Sequence, residues 1–235
     1  MVIQSEFSPQ AIYEECTCQA VDLENGSSRD ALIVLPTEHR LTLEIDQSIR
    51  HTFVCSPCQL PELCIGWMLS SGTILQGAEV HTLTICADGH HAKAGILRQQ
   101  MPGSKPEEGG VRLDRETVRT CLDLINHRTD AHLKTHATHS SAVFSADGAF
   151  VLCEDVSRTN AVDKAIGAAV LQSIPIRRSI LVCSGRISGE IAGKALQCGI
   201  PAIVSNAAAS VQAIRLAREN RIRLAFFARE AGFYV

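Results

Sequence analysis

The sequence predicts an α/β protein with a C-terminal α/β core and a smaller, β-rich α+β part in front of it. Short apolar runs alternate with helix-like segments from about residue 140 to the end of the chain, whereas alternating apolar residues and turn signals dominate residues 40–97. Strands that alternate with helices in this way favour a parallel sheet covered on both faces. The 46% hydrophobic composition supplies a core, and with only 4% aromatic residues that core rests on Ala, Val, Ile and Leu.

The N-terminal part opens with residues 1–38, which are polar and show no periodicity, so the sequence predicts an irregular, extended arm there. Leu41, Leu43 and Ile45 then alternate with polar residues and share one face of a strand. This strand is followed by a turn and by residues 52–54, which predicts a hairpin.

Further elements complete this part of the chain. An apolar stripe with proline in the first turn predicts a helix over residues 59–71, and residues 80–86 and 92–97 are typical of strands. Residues 101–110 carry Pro, Gly and charge without periodicity and predict a loop. The next helix is predicted to start with Asp114 as its N-cap.

The C-terminal part repeats a strand-then-helix pattern after two strands that flank a turn at Asp147 and Gly148. The predicted helices and strands that follow are 157–172, 180–183, 188–197, 202–204, 209–219 and 222–227. We therefore divide the chain into an irregular arm (1–38), an N-terminal α+β subdomain (39–135) and a C-terminal α/β subdomain that binds the ligand (136–235).

Charge is distributed unevenly between these parts. From residue 136 onward the chain holds 11 Lys/Arg against 7 Asp/Glu, a balance of +4, although the whole chain carries −3. A basic half in an acidic protein favours a small anionic ligand, while duplex binding needs a denser basic stripe, so we expect no nucleic-acid partner. Arginines that merely solvate helix faces would leave the same pattern.

The chain contains no apolar run near the ~20 residues of a membrane span and no signal-peptide pattern at its start. We therefore expect a cytoplasmic protein with no membrane partner, whose 10 cysteines are reduced thiols rather than a disulfide framework. Most are expected to be small core residues, as judged from the apolar neighbours of Cys86, Cys121, Cys183 and Cys198.

Polar residues follow the predicted parallel strands, where ligands of such sheets bind beside helix N-termini. Gly185 allows close backbone approach, Arg186 offers two parallel hydrogen bonds to a phosphate, and Ser188 can cap the next helix. The sequence thus predicts a phosphate or nucleotide site at one rim, and ordinary caps and turns are the alternative. The candidate rim residues are Ser184, Gly185, Arg186, Ser188, Ser205, Asn206 and Arg229.

A second candidate region, residues 154–164, is dense in charge between an apolar strand and an apolar helix face. Charges that enter a core must be paired or serve a ligand. A carboxylate of Glu154 or Asp163 could accept hydrogen bonds from a guanine edge or orient Lys164. A structural network of Asp–Arg or Glu–Lys pairs is the alternative.

Several runs resemble the formate dehydrogenase accessory (FdhD/NarQ) family. EDVSRTNAVDKAIGAA looks like the family's E-D-V-G-R-H-N-A-x-D-K-x-I-G, and SGRISGEIAGKALQCGIPAIVS looks like its S-G-R-x-S-x-E-x-x-x-K-A-x-x-x-G-I-P. The ending FFAREAGFYV, the upstream VCSPCQLPELCIGWMLSSGTI and the run THATHSSAVF resemble further family segments. Together they cover most of residues 40–235.

This resemblance implies a cytoplasmic, homodimeric accessory protein with a cytidine-deaminase-like, three-layer α/β core. It implies transfer of sulfur from a cysteine desulfurase to the molybdenum cofactor before that cofactor enters the formate dehydrogenase catalytic subunit. The ligand it implies is bis-molybdopterin guanine dinucleotide (Mo-bis-MGD) or a GDP-like guanine nucleotide. Together with the rim residues, which include Arg229, the cofactor-binding candidates are Phe227, Ala228, Glu230, Ala231, Gly232, His139, Asn160, Asp163 and Lys164.

One departure from the family concerns its sulfur chemistry, which uses a C-G-x-C-G loop. The corresponding residues 98–112 contain no cysteine, and a persulfide needs a thiolate. Cys55 and Cys58 have C-x-x-C spacing just before a predicted helix and are the substitute catalytic candidates, with a structural role as the alternative. Two hypotheses remain: a sulfurtransferase-type maturation factor, or a non-catalytic chaperone for the cofactor. A generic nucleotide-binding enzyme is a third.

Metal sites are weakly indicated. His132, His136 and His139 have spacings that would place them on one side of a helix, but a solvated segment with one pocket histidine fits as well. The deaminase signature H-x-E…P-C-x-x-C is absent from the sequence, and no structural metal is expected.

Overall fold

The computed structural model describes residues 1–97 and 111–235, so the loop predicted at 101–110 and most of the cysteine-free segment 98–112 lie outside the described residues. The strands are β1 (Val2–Ser5), β2 (Tyr13–Val21), β3 (Ser28–Pro36), β4 (His39–Ile45), β5 (Ile49–Cys55), β6 (Val80–Ile85), β7 (His91–Ile96), β8 (His139–Ser145), β9 (Phe150–Asp155), β10 (Ser179–Cys183), β11 (Ala202–Ser205), β12 (Arg223–Arg229) and β13 (Gly232–Tyr234). The helices are α1 (Leu60–Ser70), α2 (Arg115–His127), α3 (Asp130–Thr135), α4 (Arg158–Leu171), α5 (Gly189–Cys198) and α6 (Val211–Glu219).

A six-stranded sheet in the order β13-β12-β11-β10-β8-β9 organises the C-terminal part. Strands β10, β11 and β12 are parallel, as predicted, whereas β8, β9 and β13 run antiparallel to their neighbours. Alternate residues of β10 face different apolar clusters: Val182 packs with α2, and Leu181 packs with α4 and α5. The α/β class is confirmed, with helices on both faces of a mixed sheet.

The N-terminal part is a five-stranded sheet in the order β1-β6-β7-β4-β5, with α1 packed between this sheet and α4. Helices α1 and α4 touch backbone to backbone through two glycines. A Cβ added at Gly66 would lie 1.7 Å from the carbonyl oxygen of Asp163, and one at Gly167 would lie 1.9 Å from that of Glu62. One apolar cluster therefore runs through both parts of the chain.

The predicted irregular arm is wrong in detail. Strand β1 pairs with β6, and β2 and β3 form a separate two-stranded antiparallel ribbon. Both faces of that ribbon keep exposed side chains, so its sequence shows no clean alternation of apolar and polar residues. Tyr13 ties the ribbon to α3 by donating its hydroxyl to Asp130 at 2.8 Å.

The predicted boundary at residues 135 and 136 also differs from the structure. Helix α2, assigned by sequence to the N-terminal subdomain, packs on β8, β10, β11 and β12. Its apolar stripe covers the second face of the C-terminal sheet, which would otherwise expose a row of apolar residues to water.

Local signals at helix ends are confirmed. Asp114 caps α2 by accepting from the Thr117 N–H at 2.9 Å, and Ser157 and Ser188 cap α4 and α5. Gly199 ends α5 with a left-handed φ of 70°. Within residues 1–97 and 111–235, no helix has both the length and the apolar character required to cross a membrane.

Candidate functional site

A cleft of about 1240 Å³ lies between α2 and the β12–β13 hairpin. One wall is the solvent-facing flank of α2, and the other is formed by the chain segments that follow β11 and β12. The residues that line it are Arg115, Val118, Arg119, Leu122, Asp123, Asn126, His127, Asn206, Ala207, Ala228, Arg229, Glu230, Ala231, Gly232 and Phe233.

The α2 wall follows from helical spacing. Val118 and Leu122 are buried against the sheet, whereas Arg115, Arg119 and Asp123 repeat every four residues and therefore share one exposed side of the helix. The same helix thus completes the core and presents charged side chains to the cleft.

The hairpin wall depends on a local irregularity in β12. Phe227 has a left-handed φ of 47°, and its N–H donates to the carbonyl oxygen of Ala207 at 2.8 Å. The pairing of β12 with β13 shifts register between Phe226 and Arg229, so the strand bends there. Arg229 then faces the cleft, while the preceding Ala228 is buried in the core.

The arginines of this cleft lack carboxylate partners among the described residues. Within the part of the chain that the structure describes, Arg115, Arg119 and Arg229 form no ion pair with any carboxylate. Guanidinium groups bind phosphate oxygens through paired hydrogen bonds, so three unpaired guanidiniums around one cleft are suited to a polyphosphate ligand.

Other predicted rim residues lie at the same sheet edge but outside the cleft. Ser205 donates to the carbonyl oxygen of Gly185 at 2.8 Å, Ser184 accepts from the N–H of Ser140 at 2.9 Å, and Ser188 caps α5. These three serines therefore bind the protein's own backbone. Arg186 is exposed in the segment between β10 and α5.

His139 begins β8 and stands beside Gly185 and Arg158. A Cβ at Gly185 would lie 2.6 Å from Arg158 Cδ and 3.4 Å from His139 Nδ1, so a side chain at position 185 would displace that of Arg158. Burial first, and then the nearby Arg158 charge, lower the pKa of His139, so its imidazole is neutral at pH 7. The helix-side expectation for the histidines is wrong for His139, because α3 ends before it.

Among the described residues, His132, His136 and His139 do not form a metal site. His132 and His136 approach each other with ring centroids 6.0 Å apart, and no group of three or more His, Cys, Asp or Glu side chains in residues 1–97 and 111–235 is placed to hold a metal ion.

Asn160, Asp163 and Lys164, the cofactor-binding candidates of the charged segment 154–164, are buried. Asn160 donates to the Val54 carbonyl oxygen at 2.7 Å and to Asp155 at 3.2 Å. Asp163 pairs with Lys194 at 2.7 Å and accepts from Ser70 at 2.6 Å. These contacts join α4 to β5, α1 and α5, which is the structural alternative for this charged segment.

Lys164 is fully buried and pairs with the equally buried Asp155 at 2.6 Å. Its Nζ also donates to the Ser56 carbonyl oxygen at 3.1 Å and lies 3.8 Å from Cys58 Sγ. Burial is the largest influence on Lys164 and lowers its pKa, but Asp155 together with the neighbouring Cys58 and Cys55 raises it by more, so the net pKa of Lys164 is raised. The ammonium therefore stays charged beside the Cys58 thiol.

Cys55 and Cys58 differ in accessibility. Cys55 ends β5 with no exposed surface, and burial raises the pKa of its thiol to about 12. Cys58 is half-buried just before Gln59, the N-cap of α1; burial raises its pKa, while Lys164 opposes that rise. Cys58 is thus the member of the pair that a second protein could reach.

Of the other cysteines expected in the core, Cys121, Cys183 and Cys198 are buried. Cys86 is not, and the expectation is wrong for it, because it follows β6 in a turn where its Sγ donates to Asp88 at 2.8 Å.

Some of the residues that line the cleft were predicted from the sequence as binding residues, but those of its α2 wall were not. The stretch from Ala228 to Gly232 and Asn206 lie in the cleft, with Phe227 at its margin. Arg115, Arg119 and Asp123 were missed, although their four-residue spacing on the polar side of a predicted helix was a usable signal.

Comparisons with known proteins agree with this architecture. A model of the FdhD/NarQ family matches residues 91–235. Proteins named sulfur carrier protein FdhD from Bacillus licheniformis and Bacillus pumilus are 30% and 29% identical, over 86% and 84% of this chain and 87% and 86% of theirs. A solved structure described as a formate dehydrogenase accessory protein from Desulfotalea psychrophila matches with a TM-score of 0.78 at 20% identity, over 94% of this chain and 96% of that one. This last match shows a shared fold over nearly the whole chain.

Proposed function

The chain belongs to the FdhD/NarQ family, and from that premise we propose that it is an accessory protein for formate dehydrogenase maturation that binds Mo-bis-MGD, or a GDP-like guanine nucleotide, in the cleft between α2 and the β12–β13 hairpin. The dinucleotide is cargo here, held for delivery. The proposed partners are a cysteine desulfurase, the formate dehydrogenase catalytic subunit and a second copy of this chain, all in the cytoplasm.

The observation that carries this proposal is a large cleft surrounded by guanidiniums that have no carboxylate partner in residues 1–97 and 111–235. A volume of about 1240 Å³ exceeds what a single phosphate needs. Arg115 and Arg119 on one wall and Arg229 on the other suit the diphosphate of a nucleotide.

Calorimetric titration with GDP tests the site. Arg229→Ala should weaken GDP binding by about 10- to 100-fold, since a hydrogen bond to a charged group contributes about 1.5–3 kcal/mol. Arg215→Ala is the matched control, because Arg215 is exposed on α6, on the opposite face of the sheet. Equal GDP affinity in the wild type and Arg229→Ala would remove the cleft from consideration.

The variant Arg186→Ala tests whether the phosphates bind in the cleft or at the rest of the rim. Arg186 does not line the cleft, so its removal should change GDP affinity less than Arg229→Ala does. A larger loss in Arg186→Ala would place the phosphates beside the segment between β10 and α5 instead.

Sulfur transfer is a second candidate function, favoured by the Lys164 ammonium 3.8 Å from Cys58 Sγ. The Cys58 thiolate would attack the outer sulfur of a cysteine desulfurase persulfide. The new S–S bond makes a Cys58 persulfide, the old S–S bond breaks, and the desulfurase cysteine leaves as a thiolate. Without this step the protein is a cofactor chaperone only.

Incubation with a desulfurase and ³⁵S-cysteine distinguishes these two roles. Label retained on the wild type and on Cys55→Ser, but lost in Cys58→Ser, supports transfer through Cys58. Absence of protein-bound label leaves the chaperone role.

A further inference from the structure

Two neighbouring side chains of α2, Asp123 and Asn126, complement the hydrogen-bonding edge of guanine. They are three residues apart on the exposed side of the helix and both line the cleft. Asn206 Nδ2 donates to Asn126 Oδ1 at 3.1 Å, which orients the Asn126 amide and leaves its Nδ2 hydrogens available as donors.

Asp123 supplies the acceptors of this arrangement. No hydrogen bond or ion pair within residues 1–97 and 111–235 engages its side-chain carboxylate, although Arg119 lies one helical turn away. An unpaired carboxylate beside a donating amide presents the pattern donor, acceptor, acceptor. Guanine presents the complement, because its O6 accepts while its N1–H and its exocyclic amine donate.

Adenine offers the opposite pattern at the same place. Its N1 lone pair would face the Asp123 carboxylate, and its amine would face the Asn126 donor, so both contacts become repulsive. The cleft would therefore reject adenine nucleotides on hydrogen-bond pattern rather than on size.

We propose that Asp123 and Asn126 of α2 read the base of a guanine nucleotide in this cleft, with Asp123 accepting from N1–H and the exocyclic amine and Asn126 donating to O6. The inference rests on the proposed function, since it assigns the base-reading end of the same cleft. Arg119 and Arg229 hold the diphosphate. Glu230 also lines the cleft, but it sits in the short connection next to Arg229, at the phosphate end.

Base swapping tests the assignment directly, with binding measured by calorimetry on the full chain. In Asp123→Asn the amide can pair with xanthine, whose C2 carbonyl replaces the exocyclic amine. This variant should bind GDP about 10- to 100-fold more weakly than wild type and should gain about 10-fold for XDP, as expected for a bidentate base contact. Asn126→Ala should weaken GDP and leave XDP excluded.

Glu230→Gln is the matched control, because it removes the other carboxylate of the cleft and should keep the preference for GDP. Unchanged base preference in Asp123→Asn, a switch in Glu230→Gln instead, or equal wild-type affinity for GDP and ADP each overturns the inference. In those cases a loss of GDP binding in Arg229→Ala would still support the proposed function. Wild-type protein that binds neither GDP nor ADP overturns both. Thermal unfolding of each variant should match wild type, since Asp123 is exposed.

Discussion

Replacement of Lys164 by methionine removes one partner of a completely buried ion pair. Lys164 Nζ and Asp155 Oδ2 are 2.6 Å apart, and neither side chain is exposed. Asp155 also accepts from the backbone N–H groups of Ser56 at 3.0 Å and Ser157 at 2.8 Å. These bonds fasten the segment after β5 to the start of α4, next to Cys58.

The expected loss in the free energy of unfolding for Lys164→Met is about 3–5 kcal/mol, since removal of one partner leaves the other charge buried without compensation. Methionine nearly matches the lysine stem in length, so lost packing contributes little. The pKa of Lys164 is raised in the folded state, which means that its stabilising contribution is fully present below the unfolded pKa of about 10.4 and is lost only as pH rises through the folded value. The loss should therefore be the same at pH 6 and pH 8.

Urea denaturation followed by circular dichroism measures this change. Arg50→Met is the matched control, because the Arg50 side chain is 71% exposed in its pair with Glu44, and such surface pairs contribute about 0–1 kcal/mol. The double variant Lys164→Met with Asp155→Asn should recover part of the loss, since it leaves no unpaired charge. A loss below about 1 kcal/mol in Lys164→Met, at an unchanged denaturant slope, would refute the reasoning.

Two further predictions concern the helix contact and the thiols. Gly66→Ala should lower the free energy of unfolding by about 3 kcal/mol or more in urea denaturation, because the new Cβ would lie 1.7 Å from the Asp163 carbonyl oxygen. Gly193→Ala is the control: a Cβ there meets nothing within 4 Å, so this variant should be more stable than wild type by up to about 1 kcal/mol. Similar changes in the two variants would show that α1 and α4 can separate. Iodoacetamide should alkylate Cys58 faster as pH rises beyond 9 and should leave Cys55 unmodified in the folded protein, as mapped by mass spectrometry. A half-maximal alkylation rate for Cys58 below pH 8 would contradict its raised pKa.

The cleft and the thiol lie at opposite ends of one sheet edge. Arg229 follows β12 and Asp155 ends β9, with β11, β10 and β8 between them. Four strand spacings of about 4.8 Å make this separation about 19 Å. Under the proposed function, a ligand seated by its guanine end in the cleft would therefore have to extend along the edge, past His139, to approach Cys58.

Local chemistry in the sequence was sufficient for much of the fold. Asp114, Ser157 and Ser188 cap helices because their side chains bind N–H groups within three residues, so no distant contact is needed to identify them. The parallel strands β10 and β11 were equally predictable from the sequence, because burial on both faces makes them continuous apolar runs. The end of β12 was predicted to contact the cofactor from its resemblance to the family.

Tertiary structure alone decided which charges stay free. Asp163, Lys164 and Arg229 are all charged residues near predicted element ends, yet the first two are paired inside the protein and the third faces the cleft. The sequence could not separate them, because Asp155 and Lys194 become their partners only when distant segments pack. The same holds for α2: its periodicity predicts a helix, but only packing on the C-terminal sheet turns its polar side into a wall of the site.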